Sequence, residues 1–348
     1  MDINMVAGKK TTVTRNDVAR ACGVSGALVS YAFSDTAQNK VKPETRAKIL
    51  QTARELGYRP SLIGRCLKNH CSYNIGILLP ERFVSRISLH QLRIFHGVCM
   101  AIQETDYRPM VFFGVNDKLF KSLEEHRVDG VILLDSDTDL SYAENLLPYK
   151  LPMVFANVEY SCSQHYVASV RSDHEKLVND RVNDLLAAGC RNILQISALI
   201  NVCQPNYILQ KSFEKFRANC SRPEVKFSIF DPGQYEVTEA MIQEAEKYFS
   251  GDSPCDGVLV DGSDFADMIQ EAARRHGVIL QRGKNCHLSC SQETAFPCWS
   301  HNSFQLGKQA WDTMQKMLNR QNVEKLKLVP YFYAKSEENL TDNAICNQ

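Results

Sequence analysis

Residues 14–31 constrain the fold most, because they have the pattern of two short amphipathic helices joined by a tight turn. Thr14 and Asp17 form a T-x-x-D capping box, which predicts a helix that begins directly after Thr14. Gly23 is predicted to end that helix, and Ser25 is predicted to cap a second one. This is the pattern of a helix-turn-helix, whose second helix enters the major groove of DNA.

The second and third predicted helices supply the rest of a small helical core. In the second helix, Leu28, Val29 and Ala32 are expected to pack inward. The residues that then face outward are Gly26, Ala27, Ser30 and Tyr31. A third helix is predicted from Pro43 to Gly57, with an apolar stripe made by Ile49, Leu50, Ala53 and Leu56.

The charge of the chain is unevenly distributed, although its net charge is zero. Residues 1–70 carry 12 Lys and Arg against 5 Asp and Glu, a net charge of +7. The remainder carries 28 basic and 35 acidic residues, a net charge of −7. A basic helical segment on an acidic body is the charge distribution expected of a DNA-binding module attached to a larger domain.

Beyond a short connector at residues 59–73, the pattern changes to apolar strands that alternate with helices. Strands are predicted over 74–80, 108–113, 130–134, 153–156, 192–197, 225–230, 257–261 and 286–289. Helices are predicted over 89–104, 176–188, 209–219, 238–249 and 264–276. This alternation favours parallel sheets covered on both faces. There are more strand–helix units than one ordinary sheet contains, so we expect two lobes that divide near residue 170.

The cysteines give no reason to expect a metal ion or a disulfide framework. Thirteen is an odd number without regular spacing, which favours a cytoplasmic protein with reduced thiols. One cluster, Cys286, Cys290, Cys298 and His301, contains soft ligands but lacks a C-x2-C pair, so zinc is not expected there. The chain has neither a signal-peptide pattern at its start nor an apolar run long enough to span a bilayer.

The chain resembles the lactose-repressor/galactose-repressor (LacI/GalR) family of bacterial transcription regulators, because it contains motifs of that family in the same order along the sequence. In the first eighty residues these motifs are Val-Thr-x-x-Asp-Val-Ala (13–19), Gly-Val-Ser (23–25), Val-Ser (29–30), Glu-Thr-Arg (44–46), Leu-Gly-Tyr-Arg-Pro (56–60) and Ile-Gly-Ile (75–77). Weaker matches in the body are Arg-Val-Asp-Gly-Val-Ile (127–132), Asp173, Leu-x-x-x-Gly (185–189) and Leu-Gly-x-x-Ala (306–310).

The resemblance implies an all-α helix-turn-helix headpiece plus an α/β body, whose two doubly wound parallel-sheet lobes resemble the periplasmic-binding-protein fold. The expected domains are a headpiece at 1–58, a hinge at 59–73 and a sensing and dimerisation body at 74–348. The chain is expected to cross back between the lobes near 299 and 323. Such proteins act as homodimers, and each headpiece binds one half of a palindromic operator in double-stranded DNA.

The resemblance also assigns DNA-contacting positions. Gly26, Ala27 and Tyr31 match base-reading positions, and two of these three side chains offer almost no hydrogen bonding. Tyr31 is the best candidate for direct readout, and the alternative is a phenol that is buried or faces a phosphate. Leu67 matches a leucine that enters the minor groove at the operator centre and kinks the duplex. The alanine usual in that short helix is Gly64 here, which lowers its helix propensity. Phosphate partners are expected at Thr14, Arg15, Asn16, Ser25, Ser30, Thr45, Arg46, Arg65 and Lys68.

The body departs from the family where sugar-binding residues are usual. Leu209–Phe213 stands where the family has Arg-x-x-Gly-Phe, Gly262-Ser263 replaces Asn-Asp, and Asn157-Val158 replaces Asp-Arg. The family's Gly-Phe-Asp-Asp is replaced by residues 289–292. The effector is therefore either not an ordinary sugar, or the cleft has lost its ligand. The remaining candidates for effector binding are Arg82, Arg93, Asn157, Asp173, Asn206, Asp261, Asp264 and Trp299.

The leading hypothesis is thus a sequence-specific transcription regulator, a repressor, whose DNA affinity is modulated by a sugar or sugar-derived molecule between the lobes. One alternative keeps DNA binding but has a degenerate, ligand-free sensor. In another class, an enzyme on the same scaffold lacks support, since no catalytic motif is present. A free solute-binding protein would need an export signal and would not carry a basic helix-turn-helix. No catalytic residue, cofactor, metal ion or membrane partner is expected.

Overall fold

The computed structural model describes residues 13–34, 38–81, 88–234, 236–280, 288–290 and 298–334. The chain divides into two compact units, Met1–Cys71 and Ser72–Gln348. The described helices are α1 (Arg15–Cys22), α2 (Gly26–Ala32), α3 (Pro43–Glu55), α4 (Leu62–Asn69), α5 (Leu89–Gln103), α6 (Asp117–Glu124), α7 (His174–Ala187), α8 (Gln204–Asn219), α9 (Glu239–Ala245), α10 (Ser263–Arg275) and α11 (Ser303–Leu318). The described strands are β1 (Asn74–Leu79), β2 (Arg108–Phe113), β3 (Gly130–Leu134), β4 (Met153–Ala156), β5 (Val167–Ser172), β6 (Asn192–Ile196), β7 (Lys226–Phe230), β8 (Gly257–Val260), β9 (Leu288–Cys290), β10 (Cys298–Ser300), β11 (Leu326–Val329) and β12 (Phe332–Ala334).

The start of the first unit follows its local sequence signals. The N–H and the hydroxyl of Thr14 donate to the Asp17 carboxylate at 2.9 and 2.7 Å, which fixes the start of α1. Gly23 ends α1 in the left-handed region, with a φ of 69°. Ser25 Oγ then accepts the N–H of Leu28 at 3.2 Å and caps α2. The predicted helix-turn-helix is confirmed at the level of its caps.

Three helices of the first unit enclose one apolar core. Most of its buried residues come from α1, α2 and α3, and they include Val18, Val29, Ala32 and Ile49. The expectation that Leu56 completes the stripe of α3 is wrong, because Leu56 lies beyond the last helical residue and is 40% exposed. The short α4 stands at the end of this unit, within the connector.

The first lobe of the second unit is built on a six-stranded sheet with the order β11-β5-β4-β3-β1-β2, in which every pair is parallel. Helices α5 and α11 cover one face and α6 covers the other. Helices α5 and α11 approach closely because glycines meet at their crossing. A Cβ at Gly97 would lie 2.1 Å from the Phe304 carbonyl oxygen, and one at Gly307 would lie 2.1 Å from the Ile94 carbonyl oxygen.

The second lobe has a four-stranded parallel sheet with the order β7-β6-β8-β9. Helices α7 and α8 pack on one face of it, and α9 and α10 pack on the other. A separate antiparallel pair joins β10 to β12. The predicted doubly wound parallel sheets are therefore present in both lobes.

Most predicted body elements are confirmed within a few residues, but the first lobe contains elements that the pattern did not predict. These are β5, α6, α11 and β11. Helix α11 and strand β11 bring the C-terminal segment back to the first sheet, where β11 pairs with β5. The predicted strand at 286–289 begins outside the described residues, and β9 covers Leu288–Cys290.

Candidate nucleic-acid interface and ligand cleft

The outward face of α2 offers little hydrogen bonding of its own. Ala27 is exposed, and Gly26 has no side chain. Tyr31 is half-buried against the core of the first unit, and the ammonium group of Lys40 lies 5.2 Å from its ring centroid. Ser30 Oγ donates to the Gly26 carbonyl oxygen at 3.2 Å. The polar groups that are still available on this face must therefore come largely from neighbouring residues.

Two side chains of α1 lie across the space that Gly26 leaves open. A Cβ at Gly26 would be 3.0 Å from Arg15 Nε and 3.2 Å from Asn16 Oδ1. Arg15 Nη1 also donates to Ser30 Oγ at 3.3 Å. Arg15 and Asn16 are exposed, so their polar ends lie beside the N-terminal turn of α2. Gly26 thus creates room for a guanidinium and an amide on the surface expected to face DNA.

The hydroxyls and cations predicted to contact phosphates have structural partners as well. Thr14 and Ser25 serve as helix caps, as described above. Arg46 Nε donates to the Ala32 carbonyl oxygen at 3.1 Å, which holds this arginine at the end of α2. Thr45 is half-buried in the first turn of α3. The Ser25 cap uses only a lone pair of Oγ, so its O–H can donate to a phosphate oxygen, whereas the Thr14 hydroxyl, which donates to Asp17, must turn to do so. The caps also position backbone N–H groups for phosphate binding.

The connector carries an exposed apolar side chain on a defined helix. Leu67 in α4 is 74% exposed, and Arg65 and Lys68 beside it are also exposed. Ser61 caps α4 by accepting the N–H of Gly64 at 3.4 Å. Exposing a leucine to water costs free energy that burial would recover, so this side chain has the properties of an apolar wedge flanked by cations.

The structure does not gather the predicted effector residues into one cluster. Arg82 lies outside the described residues, Asp264 is exposed, and Arg93 is half-buried on α5. Asp173 caps α7 by accepting the N–H of Lys176 at 3.0 Å. The remaining candidates each have a partner in their own lobe. Asn206 donates to the Ala198 carbonyl oxygen at 2.6 Å, and the Trp299 ring packs edge-on against Tyr333.

Asn157 belongs to a buried polar network that the sequence did not predict. Its Oδ1 lies 2.8 Å from His90 Nε2, and His90 Nδ1 lies 2.8 Å from Ser303 Oγ. This pairing fits a neutral imidazole that donates from Nε2 and accepts on Nδ1. Asn157 is 2% exposed and has a φ of 77°, in the left-handed region where asparagine is tolerated. The residue is therefore held in an uncommon conformation at the end of β4.

A second group of rings continues from this network. His90 and His301 have ring centroids 4.7 Å apart. The Tyr331 hydroxyl lies 3.0 Å from His301 Nδ1 and 2.6 Å from His174 Nδ1. His174 is fully buried, and burial, followed by the effect of His301, holds its pKa well below the usual value of 6.5. His174 is therefore neutral in the folded protein near neutral pH.

Asp261 is paired with an arginine on the apolar side of α7. Arg181 is 1% exposed and donates from Nη1 to Asp261 Oδ1 at 2.9 Å and from Nη2 to the Val260 carbonyl oxygen at 2.9 Å. Burial raises the pKa of Asp261, and the Arg181 guanidinium opposes that shift. This ion pair is located at the carboxyl end of β8, where ligands bind in open parallel sheets.

The two lobes contact each other through segments that follow the carboxyl ends of β3 and β6. Thr138 Oγ1 donates to the Asn201 carbonyl oxygen at 2.7 Å, and the Gln204 N–H donates to the Ser136 carbonyl oxygen at 2.8 Å. Gln204 also exchanges hydrogen bonds with the backbone of Glu159, at 2.6 and 3.0 Å. A ligand between the lobes would therefore meet the carboxyl ends of both sheets.

In the part of the chain that the structure describes, no three His, Cys, Asp or Glu side chains are placed to hold a metal ion. Of the cluster considered from the sequence, Cys286 lies outside that part. Among the same described residues, no helix is long and apolar enough to cross a membrane.

Comparison with known proteins connects this architecture to a family. Residues 14–61 match the model of the bacterial regulatory proteins of the lacI family. Catabolite control protein A of Priestia megaterium is 24% identical over 327 residues, which cover 90% of this chain and 94% of that protein. The sucrose operon repressor of Klebsiella pneumoniae is 31% identical over 152 residues, which cover 41% of this chain and 44% of that protein.

Solved structures share the fold. The lac repressor dimer bound to operator and the anti-inducer ONPF has a TM-score of 0.64 and 19% identity, and the match covers 93% of this chain and 98% of that one. The regulator CelR in complex with cellobiose has a TM-score of 0.56 and 19% identity, over 93% of this chain and 99% of that one. The expected resemblance and the expected fold class are therefore confirmed.

Proposed function

We propose, on the premise that residues 14–61 form a helix-turn-helix domain of the lacI family, that the chain represses transcription by binding a palindromic DNA operator as a homodimer. The observation that carries the proposal is the capped helix-turn-helix, whose α2 presents an outward face beside exposed cations of a unit with excess positive charge. Proteins of this family are transcription regulators, so we propose no enzymatic activity. A regulator of this kind acts on chromosomal DNA, which for a bacterial protein is in the cytoplasm.

Base reading by this headpiece would depend on few side chains. Ala27 offers a methyl contact for a thymine, and Tyr31 offers a hydroxyl from a half-buried ring. The Arg15 guanidinium beside Gly26 is suited to the O6 and N7 acceptors of a guanine in the major groove. The hydroxyls of Thr14, Ser25, Ser30 and Thr45, with Asn16, Arg46, Arg65 and Lys68, would contact phosphates and set the register.

Selection of bound duplexes from a random pool tests this proposal with the full-length protein. We expect an enriched palindrome with two equal half-sites. Arg15→Ala should relax the consensus at one base pair of each half-site, because one hydrogen-bonding side chain is lost. Arg20→Ala, which removes an 81% exposed arginine from another face of α1, should leave the consensus unchanged. Failure to enrich any consensus would contradict the proposed function.

The dimer would form through an apolar surface of the first lobe. In α5, Leu89, Leu92 and Met100 are 38%, 42% and 40% exposed and lie on one helical face. Val111 and Phe113 of the edge strand β2 are 39% and 46% exposed. Their β1 partners in the sheet register are Ile77 and Leu79, which face α5, so all five side chains lie on the same side of the lobe. We call these five residues the α5–β2 face. Several large apolar side chains exposed on one side of a domain are typical of an oligomer interface.

The sensor would bind a small effector, a sugar or a sugar-derived molecule, in the cleft between the lobes. The support is the placement of polar groups after parallel strands in both lobes, with Asn157 after β4 and Asp261 after β8. Structural neighbours include a regulator in complex with cellobiose. A ligand that prefers one arrangement of the lobes would change the population able to bind DNA.

Thermal denaturation of the full chain with a panel of sugars, sugar acids and sugar phosphates tests the sensor. The expected result is one compound that raises the Tm with a saturable dose dependence and also changes operator affinity. If none does both, the sensor is not regulated by this class of molecule. That result leaves the DNA-binding proposal unaffected, because operator selection needs no effector.

A further inference from the structure

Two reduced cysteines lie at either end of the turn that closes the connector helix α4. Cys66 is in the last part of α4, and Cys71 follows it by five residues. Both are half-exposed thiols that are not disulfide-bonded in this structure. The connector therefore carries two thiols within six residues of sequence.

The backbone brings these two residues together through a Schellman motif. His70 follows α4 in the left-handed region, with a φ of 50° and a ψ of 43°. The Cys71 N–H donates to the Cys66 carbonyl oxygen at 3.3 Å, which is the bond from the sixth residue to the first that defines the motif. In this geometry, the side chains at the first and sixth positions commonly contact each other. The backbone hydrogen bond holds the two residues close together, as a disulfide requires, since its Cα atoms usually lie about 4.4–6.8 Å apart.

We propose that Cys66 and Cys71 are an oxidation site at which a peroxide forms an intramolecular disulfide. One thiolate attacks a peroxide oxygen, the O–O bond breaks, and a sulfenic acid forms as hydroxide leaves. The second thiolate attacks that sulfur, the S–S bond forms, and the S–O bond breaks. The two thiols lose two electrons and two protons, and hydrogen peroxide is reduced to two waters. A dithiol reductant reverses the reaction.

The disulfide would enclose the residues expected to contact the operator centre. Leu67 and Lys68 lie between the two cysteines, so the bond would close a ring that contains the apolar wedge and one of its cations. A ring of this size restricts the open conformations of the connector. The consequence for DNA binding rests on the proposed function. A connector that is already restricted loses less conformational entropy when it binds the operator, so it binds more tightly.

The first test detects the bond itself. The full-length protein is treated with hydrogen peroxide, quenched with an alkylating agent and digested with trypsin without reduction. Trypsin cleaves after Arg65, Lys68 and Arg82, so the disulfide would join Cys66–Lys68 to residues 69–82 in one linked peptide. Mass spectrometry should find this species, and dithiothreitol should remove it. Cys66→Ser and Cys71→Ser should each abolish it, whereas Cys220→Ser, which alters a half-exposed cysteine of the body, should not.

Absence of the linked peptide, or Cys66 joined instead to Cys66 of a second copy, would overturn the proposal. The second test measures operator affinity before and after oxidation. We expect oxidation to tighten binding by about fivefold or more, with no effect in Cys71→Ser. If the bond forms but affinity is unchanged or weaker, the regulatory consequence is wrong. If no form of the protein binds any duplex selectively, the proposed function fails while the oxidation site stands.

Discussion

Replacing Leu67, the proposed apolar wedge, should weaken operator binding, and the loss in affinity can be estimated from the exposed fraction of its side chain. Fully burying a leucine side chain is worth about 1.5–3 kcal/mol. Leu67 is 74% exposed, so about three quarters of that free energy, roughly 1–2 kcal/mol per chain, is available when the side chain enters DNA. Leu67→Ala removes this gain from both chains of a dimer, but it also spares the few kcal/mol needed to unstack a base step. We therefore expect a net loss of about tenfold in operator affinity, or about 1.4 kcal/mol.

Fluorescence anisotropy with the selected operator and a scrambled duplex measures this effect. The loss should be confined to the operator, because binding to unkinked DNA depends mainly on phosphate contacts. The matched control is Ile279→Ala, which removes an apolar side chain of similar exposure, 76%, from the body of the protein. Equal losses on both duplexes, or an operator loss under twofold, would refute the wedge.

Three further predictions concern the body. Arg181→Met should lower the free energy of unfolding, measured by urea denaturation, by about 3–5 kcal/mol, since it leaves the Asp261 carboxylate without its partner. Adding Asp261→Asn to Arg181→Met should recover much of the lost stability. If the losses of the two substitutions simply add, the ion pair is not the cause. The free energy of unfolding should fall as pH drops below about 6.5, and His174 should contribute up to ~1.4 kcal/mol per pH unit to this fall. The cause is that the unfolded state binds a proton that the buried His174 ring does not bind. His174→Asn should reduce the slope of unfolding free energy against pH, and an unchanged slope would exclude His174 as its source. Leu92→Asp should shift the protein toward monomer in analytical ultracentrifugation. The control Val202→Asp should not, because Val202 is an apolar residue that is 51% exposed outside the α5–β2 face. A dimer that survives Leu92→Asp would place the interface elsewhere.

The headpiece could be predicted from sequence because its determinants are local. The capping box at Thr14 and the left-handed Gly23 act within a few residues, and the structure contains both. The connector helix was less certain from sequence, since Gly64 disfavours it, yet a Ser61 cap supports α4. Most body strands were also predictable, because buried parallel strands are short apolar runs.

The polar networks of the body could not be predicted, because their members are far apart in the chain. His90 pairs with Asn157 and Ser303, which are 67 and 213 residues away. One member of these networks does have a local signal in the sequence. Arg181 shares the apolar face of α7 with Val178 and Val182, and an arginine at a core position of a helix indicates a buried acceptor. The sequence still could not identify that acceptor.

The most direct test of the central claim is the affinity of the full-length protein for its selected operator and for a scrambled duplex, measured from low to high salt. We expect the protein to prefer the operator by at least about a thousandfold at physiological salt. We also expect binding to both duplexes to fall steeply as salt rises, because the headpiece neutralises phosphates. Equal affinity for the two duplexes at every salt concentration would refute sequence-specific DNA binding.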